Sequence, residues 1–165
     1  FVAGLLLLVG WSMRLVYTVT AFTVGHSVTL ALVSLGVVTN PEALIEWLIA
    51  LSIWVLAFEL SRPGKHSRLW QRPWYLAALF GLLHGMGFAG ALAETGLPQL
   101  HLPTALLFFN VGIELGQLAF IALLTVVGTF VLRLSQASWI KIAPVYVLGA
   151  VSTYWLLDRT GALLG

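Results

Sequence analysis

The sequence has no cysteine and very few charged residues. Without cysteine the chain forms no disulfide bond and offers no thiolate ligand to a metal ion. Only 8% of the residues are charged, whereas soluble domains carry about 25%, so an ordinary soluble domain is excluded. The net charge of +2 gives no indication of nucleic-acid binding. The chain also lacks a Walker motif, which excludes an ATPase of that type.

Long apolar runs make up most of the chain, which is 60% hydrophobic with a mean hydropathy of +1.00. This composition predicts an all-α fold, a polytopic transmembrane helical bundle of about six segments in a single domain. The segment 1–11 is too short to cross a bilayer, so we expect the natural chain to begin upstream and this span to be truncated. The predicted spans are 1–11, 15–38, 42–60, 73–94, 104–133 and 142–157.

The basic residues indicate how the chain is oriented in the membrane. All of them except Arg159 fall in or beside connections on one side of the predicted spans, and the 61–72 loop carries four. By the positive-inside rule these connections face the cytoplasm, and the C-terminus lies outside. We therefore predict a multi-pass protein of the cell (inner) membrane whose partner is the lipid bilayer. The sequence leaves open whether the protein forms a homo-oligomer. Tryptophans near span ends, Trp47 among them, are interpreted as interfacial anchors.

Three ionisable residues lie deep inside the predicted spans. His26, His84 and Glu114 each fall about 15 Å from a span end, near the middle of a hydrocarbon core about 30 Å thick. Ionisable groups at this depth are costly and mark binding sites or proton paths. The coincidence of depth predicts a midplane metal site formed by these three residues. Supporting polar residues are predicted at Thr23, Ser27, Asn110, Gln117 and Glu59.

Residue spacing and chemistry support this prediction. Asn110, Glu114 and Gln117 share one helix face. Gly81 and Gly85 form a small-xxx-small pair around the second histidine, which lets another helix approach closely. Two histidines, a carboxylate and amide oxygens without sulfur suit Ni²⁺, Co²⁺ or Zn²⁺. A glutamate beside histidines also suits proton coupling, because metal binding needs deprotonated ligands and releases protons.

The residues alone leave three other functions open. A b-type haem protein would use His26 and His84 as axial ligands. A membrane-embedded zinc hydrolase would use Glu114 as the general base for a metal-bound water. A scaffold subunit would use the same polar groups only to pack its helices.

Four strings carry a family resemblance: TAFTVGHSVTLAL (20–32), PEALIEWLIALSI (41–53), FGLLHGMGFAGALAETGLP (80–98) and FNVGIELGQL (109–118). In these the chain resembles the HupE/UreJ family of membrane proteins, specifically its divergent second branch. The resemblance implies a permease rather than an enzyme, for Ni²⁺ or Co²⁺, linked to hydrogenase and urease maturation. It implies that His26, His84 and Glu114 are the family's intramembrane polar positions, with Asn110 and Gln117 beside the last. It also implies a glycine, aspartate and histidine motif in the first helix, upstream of the given sequence.

Overall fold

The computed structural model describes residues 1–62, 71–94, 101–134 and 139–164. No strand occurs in these ranges, and the predicted all-α fold class is confirmed. The helices α2, α3 and α5 are long and apolar enough to cross a membrane. The helices are α1 (Val2–Val9), α2 (Met13–Ser34), α3 (Glu42–Leu60), α4 (Pro73–Glu94), α5 (Leu102–Leu134) and α6 (Trp139–Leu164).

The bounds of α3 and α4 coincide with the predicted segments, but α2 is shorter than the predicted 15–38. The backbone of Gly36 adopts a left-handed conformation with a φ of 72°, which side-chain-bearing residues rarely adopt. The N–H of Val37 then donates to the carbonyl of Leu32 at 2.9 Å. This is the Schellman pattern, in which the glycine stops the helix, so α2 ends at Ser34 and the helix does not reach the end of the predicted segment.

The last helix, α6, extends beyond the predicted 142–157 at both ends. It begins early enough for Pro144 to lie inside the helix rather than in its first turn. Beyond residue 157 it continues as helix rather than as a tail, and this last part is held against α3. The indole Nε1 of Trp47 donates to the hydroxyl of Thr160 at 2.9 Å. Trp47 therefore joins two helices and is more than an interfacial anchor.

From α2 to α6, helices that are consecutive in the chain alternate in direction, so α2 and α4, which are in direct contact, run parallel. One apolar cluster joins Leu15 of α2 to Ile121 of α5, and a second joins Leu30 of α2 to Leu106 of α5. The two helices therefore run antiparallel, and the contacts of α3 with α4 and α6 show the same antiparallel order. The alternation gathers one set of basic residues at one end of the bundle: Arg14, Arg62, Arg72 and Arg133.

The helices α2 and α4 pack with their backbones in contact, and glycines make this possible. A Cβ atom on Gly25 would collide with the carbonyl oxygen of Ala78, and one on Gly81 would collide with that of Phe22. Gly85 leaves room for α2 in the same way. The close approach predicted at Gly81 and Gly85 is confirmed, and α2 is the helix that approaches.

This contact sets the relative level of the two intramembrane histidines. The backbone N of His26 lies against Gly81, and its carbonyl oxygen lies against Gly85. These two glycines flank His84 in the sequence. The structure therefore holds His26 and His84 side by side at one level of the bundle.

Alanine at Gly81 or Gly85 is expected to lower the thermal unfolding temperature in detergent micelles. The added methyl group must push α2 away, and overpacking of this kind costs about 1–3 kcal/mol. The matched control is Gly112→Ala on α5, where a Cβ atom would meet nothing within 4 Å. The control should leave the temperature unchanged or raise it slightly, because alanine favours helix. Equal shifts in all three variants would contradict this account of the α2–α4 contact.

Candidate functional site

A cavity of about 840 Å³ lies between the helices, and all six contribute to its wall. Its size is typical of cavities that bind small ligands, about 300–1,000 Å³. Most of the wall is apolar. Its ionisable and amide side chains are His26, His84, Gln117, Glu46 and Arg159.

The ring of His84 is oriented by its own helix. Its Nδ1 lies 2.7 Å from the carbonyl oxygen of Phe80, one turn earlier in α4. A carbonyl oxygen only accepts hydrogen bonds, so Nδ1 carries the hydrogen and the neutral ring keeps its lone pair on Nε2. Metal-binding histidines in proteins are commonly oriented by such a bond. The Nε2 atom is buried and has no hydrogen-bond partner among the described residues.

His26 is also without a partner. Its side chain is 3% exposed, and within the described ranges neither ring nitrogen forms a hydrogen bond. A buried polar atom left in this state costs about 1–3 kcal/mol. Both histidines line the cavity, so a cation there could take the lone pair of each neutral ring, and a polar ligand could also accept from the N–H of His26. The structure thus combines a cavity with unpaired lone pairs.

Phenylalanine rings surround the two histidines. The centroid of the Phe22 ring lies 6.1 Å from that of His26 and 5.2 Å from that of His84. Phe88 is 5.7 Å from His26, and Phe1 is 5.2 Å from His84. These contacts restrict the imidazoles to their positions in the wall. The sequence offers a signal for part of this frame, because a phenylalanine precedes each histidine by four residues.

Glu114 lies apart from the histidines. Its Oε1 accepts a hydrogen bond from the hydroxyl of Thr20 at 2.5 Å. Thr20 precedes His26 by six residues, which is about 9 Å along the helix axis. Glu114 is absent from the cavity wall, whereas Gln117 belongs to it. The hydroxyl of Thr23 lies 3.2 Å from the Gln117 Oε1, so α2 and α5 are joined at two levels.

The predicted three-residue metal site is therefore assembled only in part. Across the described ranges, no group of three His, Asp or Glu side chains is placed to hold a metal ion. Instead, His26 and His84 share the cavity wall with the amide of Gln117. The physical reason is that Glu114, one turn before Gln117, turns toward Thr20.

The remaining predicted supporting residues lie outside the cavity wall. The hydroxyl of Ser27 donates to the carbonyl of Thr23 at 2.7 Å, and the Asn110 amide donates to the carbonyl of Leu106 at 2.8 Å. Both bonds stay within one helix. The Oδ1 of Asn110 is buried without a partner in the described chain. Glu59 is 4% exposed on α3.

Two features of the site were missed by sequence reasoning. The first is Thr20, the partner of Glu114. The sequence contains a signal for it, because Thr20 and Thr23 have the same spacing as Glu114 and Gln117. The second is the ion pair between Glu46 of α3 and Arg159 of α6 in the cavity wall. No local sequence pattern indicates it, because the two residues are far apart in the chain.

Replacing Thr20 with valine is expected to destabilise the bundle. The variant leaves the Glu114 carboxylate without its donor, and hydrogen bonds to charged groups contribute about 1.5–3 kcal/mol. The control is Thr125→Val, which removes only a bond within α5, from the hydroxyl to the Ile121 carbonyl at 2.8 Å. Denaturant titration in micelles compares their free energies of unfolding. If Thr125→Val lowers the free energy of unfolding as much as Thr20→Val does, the interhelical bond has no special role.

Taken together, apolar membrane-length helices and a histidine-lined cavity define an integral membrane protein of the helical-bundle class. The chain matches the family described as HupE / UreJ protein over residues 1–159, and it belongs to this family. The family is associated with nickel and cobalt transport, and its members resemble transporters rather than enzymes. Comparison with curated proteins gave no match, and neither did comparison with solved structures.

Proposed function

We propose that the protein is a permease for a divalent transition-metal cation, Ni²⁺ or Co²⁺, with Zn²⁺ as a further candidate. The cation would be held in the cavity by ring nitrogens of His26 and His84, with the Gln117 amide oxygen beside them. The observation that carries this proposal is the set of three buried ring nitrogens that line one cavity and have no hydrogen-bond partner among the described residues.

The chemistry of these donors supports the proposal. Imidazole nitrogen suits Ni²⁺, Co²⁺ and Zn²⁺, and an amide oxygen adds a neutral, harder ligand. A small number of protein ligands also suits a transported ion, because a site that binds the ion too tightly does not release it. Family membership supports nickel and cobalt over other metals.

Glu114 is proposed as the proton site of transport. Its carboxylate lies outside the cavity wall but is joined to α2 through Thr20, and α2 carries His26. Protonation of the carboxylate weakens this charge-assisted hydrogen bond. Loss of the bond would loosen α5 from the helix that carries one of the ligands, and so couple a proton to release of the cation.

The direction of transport is proposed from the distribution of charge. The end of the bundle that gathers Arg14, Arg62, Arg72 and Arg133 is assigned to the cytoplasm by the positive-inside rule. The opposite end, with the C-terminus, then faces outward from the cell membrane. We propose uptake from that side toward the basic end.

The haem alternative does not fit the geometry. Two axial histidines must approach a porphyrin from opposite faces, so the macrocycle has to lie between their helices. At the level of His26 and His84 the α2 and α4 backbones are in contact, because glycines leave no space between them. The two histidines therefore suit a small ion and do not suit a porphyrin.

The remaining alternatives also agree less well with the structure. A hydrolase needs a carboxylate within hydrogen-bond reach of a metal-bound water. Glu114 instead accepts a bond from Thr20 and lies outside the cavity wall. A scaffold whose polar groups only pack helices would pair its histidines, whereas three of their buried nitrogens are unpaired among the described residues.

His26→Ala and His84→Ala are each expected to lower the Ni²⁺ affinity of the purified protein at least about tenfold, or about 1.4 kcal/mol. Each removes one of the proposed ligands. Isothermal titration in micelles measures affinity, and Ni²⁺ uptake into proteoliposomes measures transport. The control is His101→Ala, because His101 is exposed and lies outside the cavity wall. Equal affinity and uptake in all variants and wild type would exclude the proposed site.

Glu114→Gln is expected to separate proton coupling from metal binding. The amide oxygen still accepts the bond from Thr20, but the side chain no longer takes up a proton. We expect pH-driven Ni²⁺ uptake to fall about tenfold, a typical magnitude for loss of coupling between sites, while Ni²⁺ affinity falls far less. Proteoliposomes with an internal pH dye report both fluxes. Undiminished proton movement in this variant would rule out Glu114 as the proton site.

A further inference from the structure

The cavity has one charged end. Among the described residues, its wall contains a single acidic and a single basic side chain, Glu46 on α3 and Arg159 on α6. The Glu46 Oε2 lies 3.3 Å from the Arg159 Nη1. Their side chains are 47% and 42% exposed, whereas His26 is 3% exposed. The ion pair therefore lies where the cavity meets its surroundings.

The other exposed parts of the wall are apolar. Phe88, Phe120 and Trp155 are each 46–47% exposed on a bundle that contains helices of membrane-spanning length. A hydrated ion does not cross hydrocarbon-facing aromatic surface, because removing its water is too costly. The ion pair thus marks the polar route between the cavity and the aqueous phase.

We propose that Glu46 and Arg159 form a charge gate at the mouth of the cavity. In the closed state Arg159 neutralises Glu46, so the mouth offers an approaching cation no free Glu46 carboxylate. The gate opens when Arg159 leaves and Glu46 becomes the first anionic contact of the incoming cation. The identity of that cation rests on the proposed function, but the gate itself is defined by the position of these two charges.

The surroundings of the pair allow it to open without loss of the fold. Half-exposed ion pairs contribute little to stability, so thermal motion separates them readily. A second carboxylate, that of Asp158, lies 3.9 Å from the Nε of Arg159. A guanidinium that releases Glu46 therefore stays beside an anionic group. The bond from Trp47 to Thr160 keeps α3 and α6 joined next to the pair.

Residues 1–165 contain no cysteine, which makes the gate accessible to a chemical test. A single cysteine at Ala50 lies one turn, about 6 Å, deeper in the wall than Glu46. Two thiol reagents of similar size, one cationic (trimethylammonium-ethyl methanethiosulfonate) and one anionic (sulfonatoethyl methanethiosulfonate), are applied to proteoliposomes. The ratio of their reaction rates reports the charge that each meets at the mouth.

Opposite shifts of this ratio are expected from the two single variants. Arg159→Gln leaves Glu46 unpaired, and the cationic-to-anionic ratio should rise about tenfold, as expected for one unscreened charge within about 8 Å. Glu46→Gln leaves Arg159 paired only with Asp158 and removes one negative charge from the mouth, so the ratio should fall about tenfold by the same reasoning. The double variant removes both charges, so its ratio should return to that of wild type. A cysteine at the exposed Val37, outside the cavity wall, is the control and should show no such shifts.

The proposal fails if neither single variant changes the ratio, or if both change it in one direction. It also fails if the thiol reacts with neither reagent in any background, because the mouth would then not lead to the cavity. A cysteine at Ile49, which also lines the wall, replaces Ala50→Cys should that variant not fold. The assay contains no metal ion. Loss of Ni²⁺ uptake in His84→Ala therefore tests the proposed function independently of the gate.

Discussion

The backbone contact between α2 and α4 is the constraint on which the site depends. At Gly25, Gly81 and Gly85 a glycine replaces a side chain, and a carbonyl group of the other helix occupies the space. Within a membrane, lipid tails are as apolar as leucine, so helices gain most by such close packing. The contact leaves no freedom for α2 to slide along α4. It thereby brings two imidazoles to one level without any bond between them.

The relative level of two side chains on different helices is easier to predict from sequence than the direction in which each side chain points. Hydropathy and turn residues located α3 and α4, and the common depth of His26 and His84 agrees with their position beside the glycine contact. Depth follows from counting residues along a helix, and so it is readable locally. Which neighbour a side chain faces depends on how each helix is rotated about its axis. For that reason Glu114 was grouped with the histidines, although its partner is Thr20.

The same limit explains the features that were not predicted. The cavity wall combines residues from all six helices, and no local sequence pattern predicts which residues come together there. The pairing of Glu46 with Arg159 joins residues far apart in the chain, so it needs the antiparallel order of α3 and α6. The end of α2 was within reach of sequence reasoning, because Gly36 lies two residues beyond the last helical residue, where a terminating glycine is common.

The length of α5 carries a further consequence. Its 33 residues extend about 50 Å as a helix, well beyond a hydrocarbon core of about 30 Å. Only 6% of its most apolar window is buried inside the described part of the protein, so most of that surface is free to contact lipid tails. A helix with this mismatch adjusts its tilt to the local thickness of the bilayer. Because α5 carries Glu114 and Gln117, a change in its tilt changes the contacts that these residues make with α2.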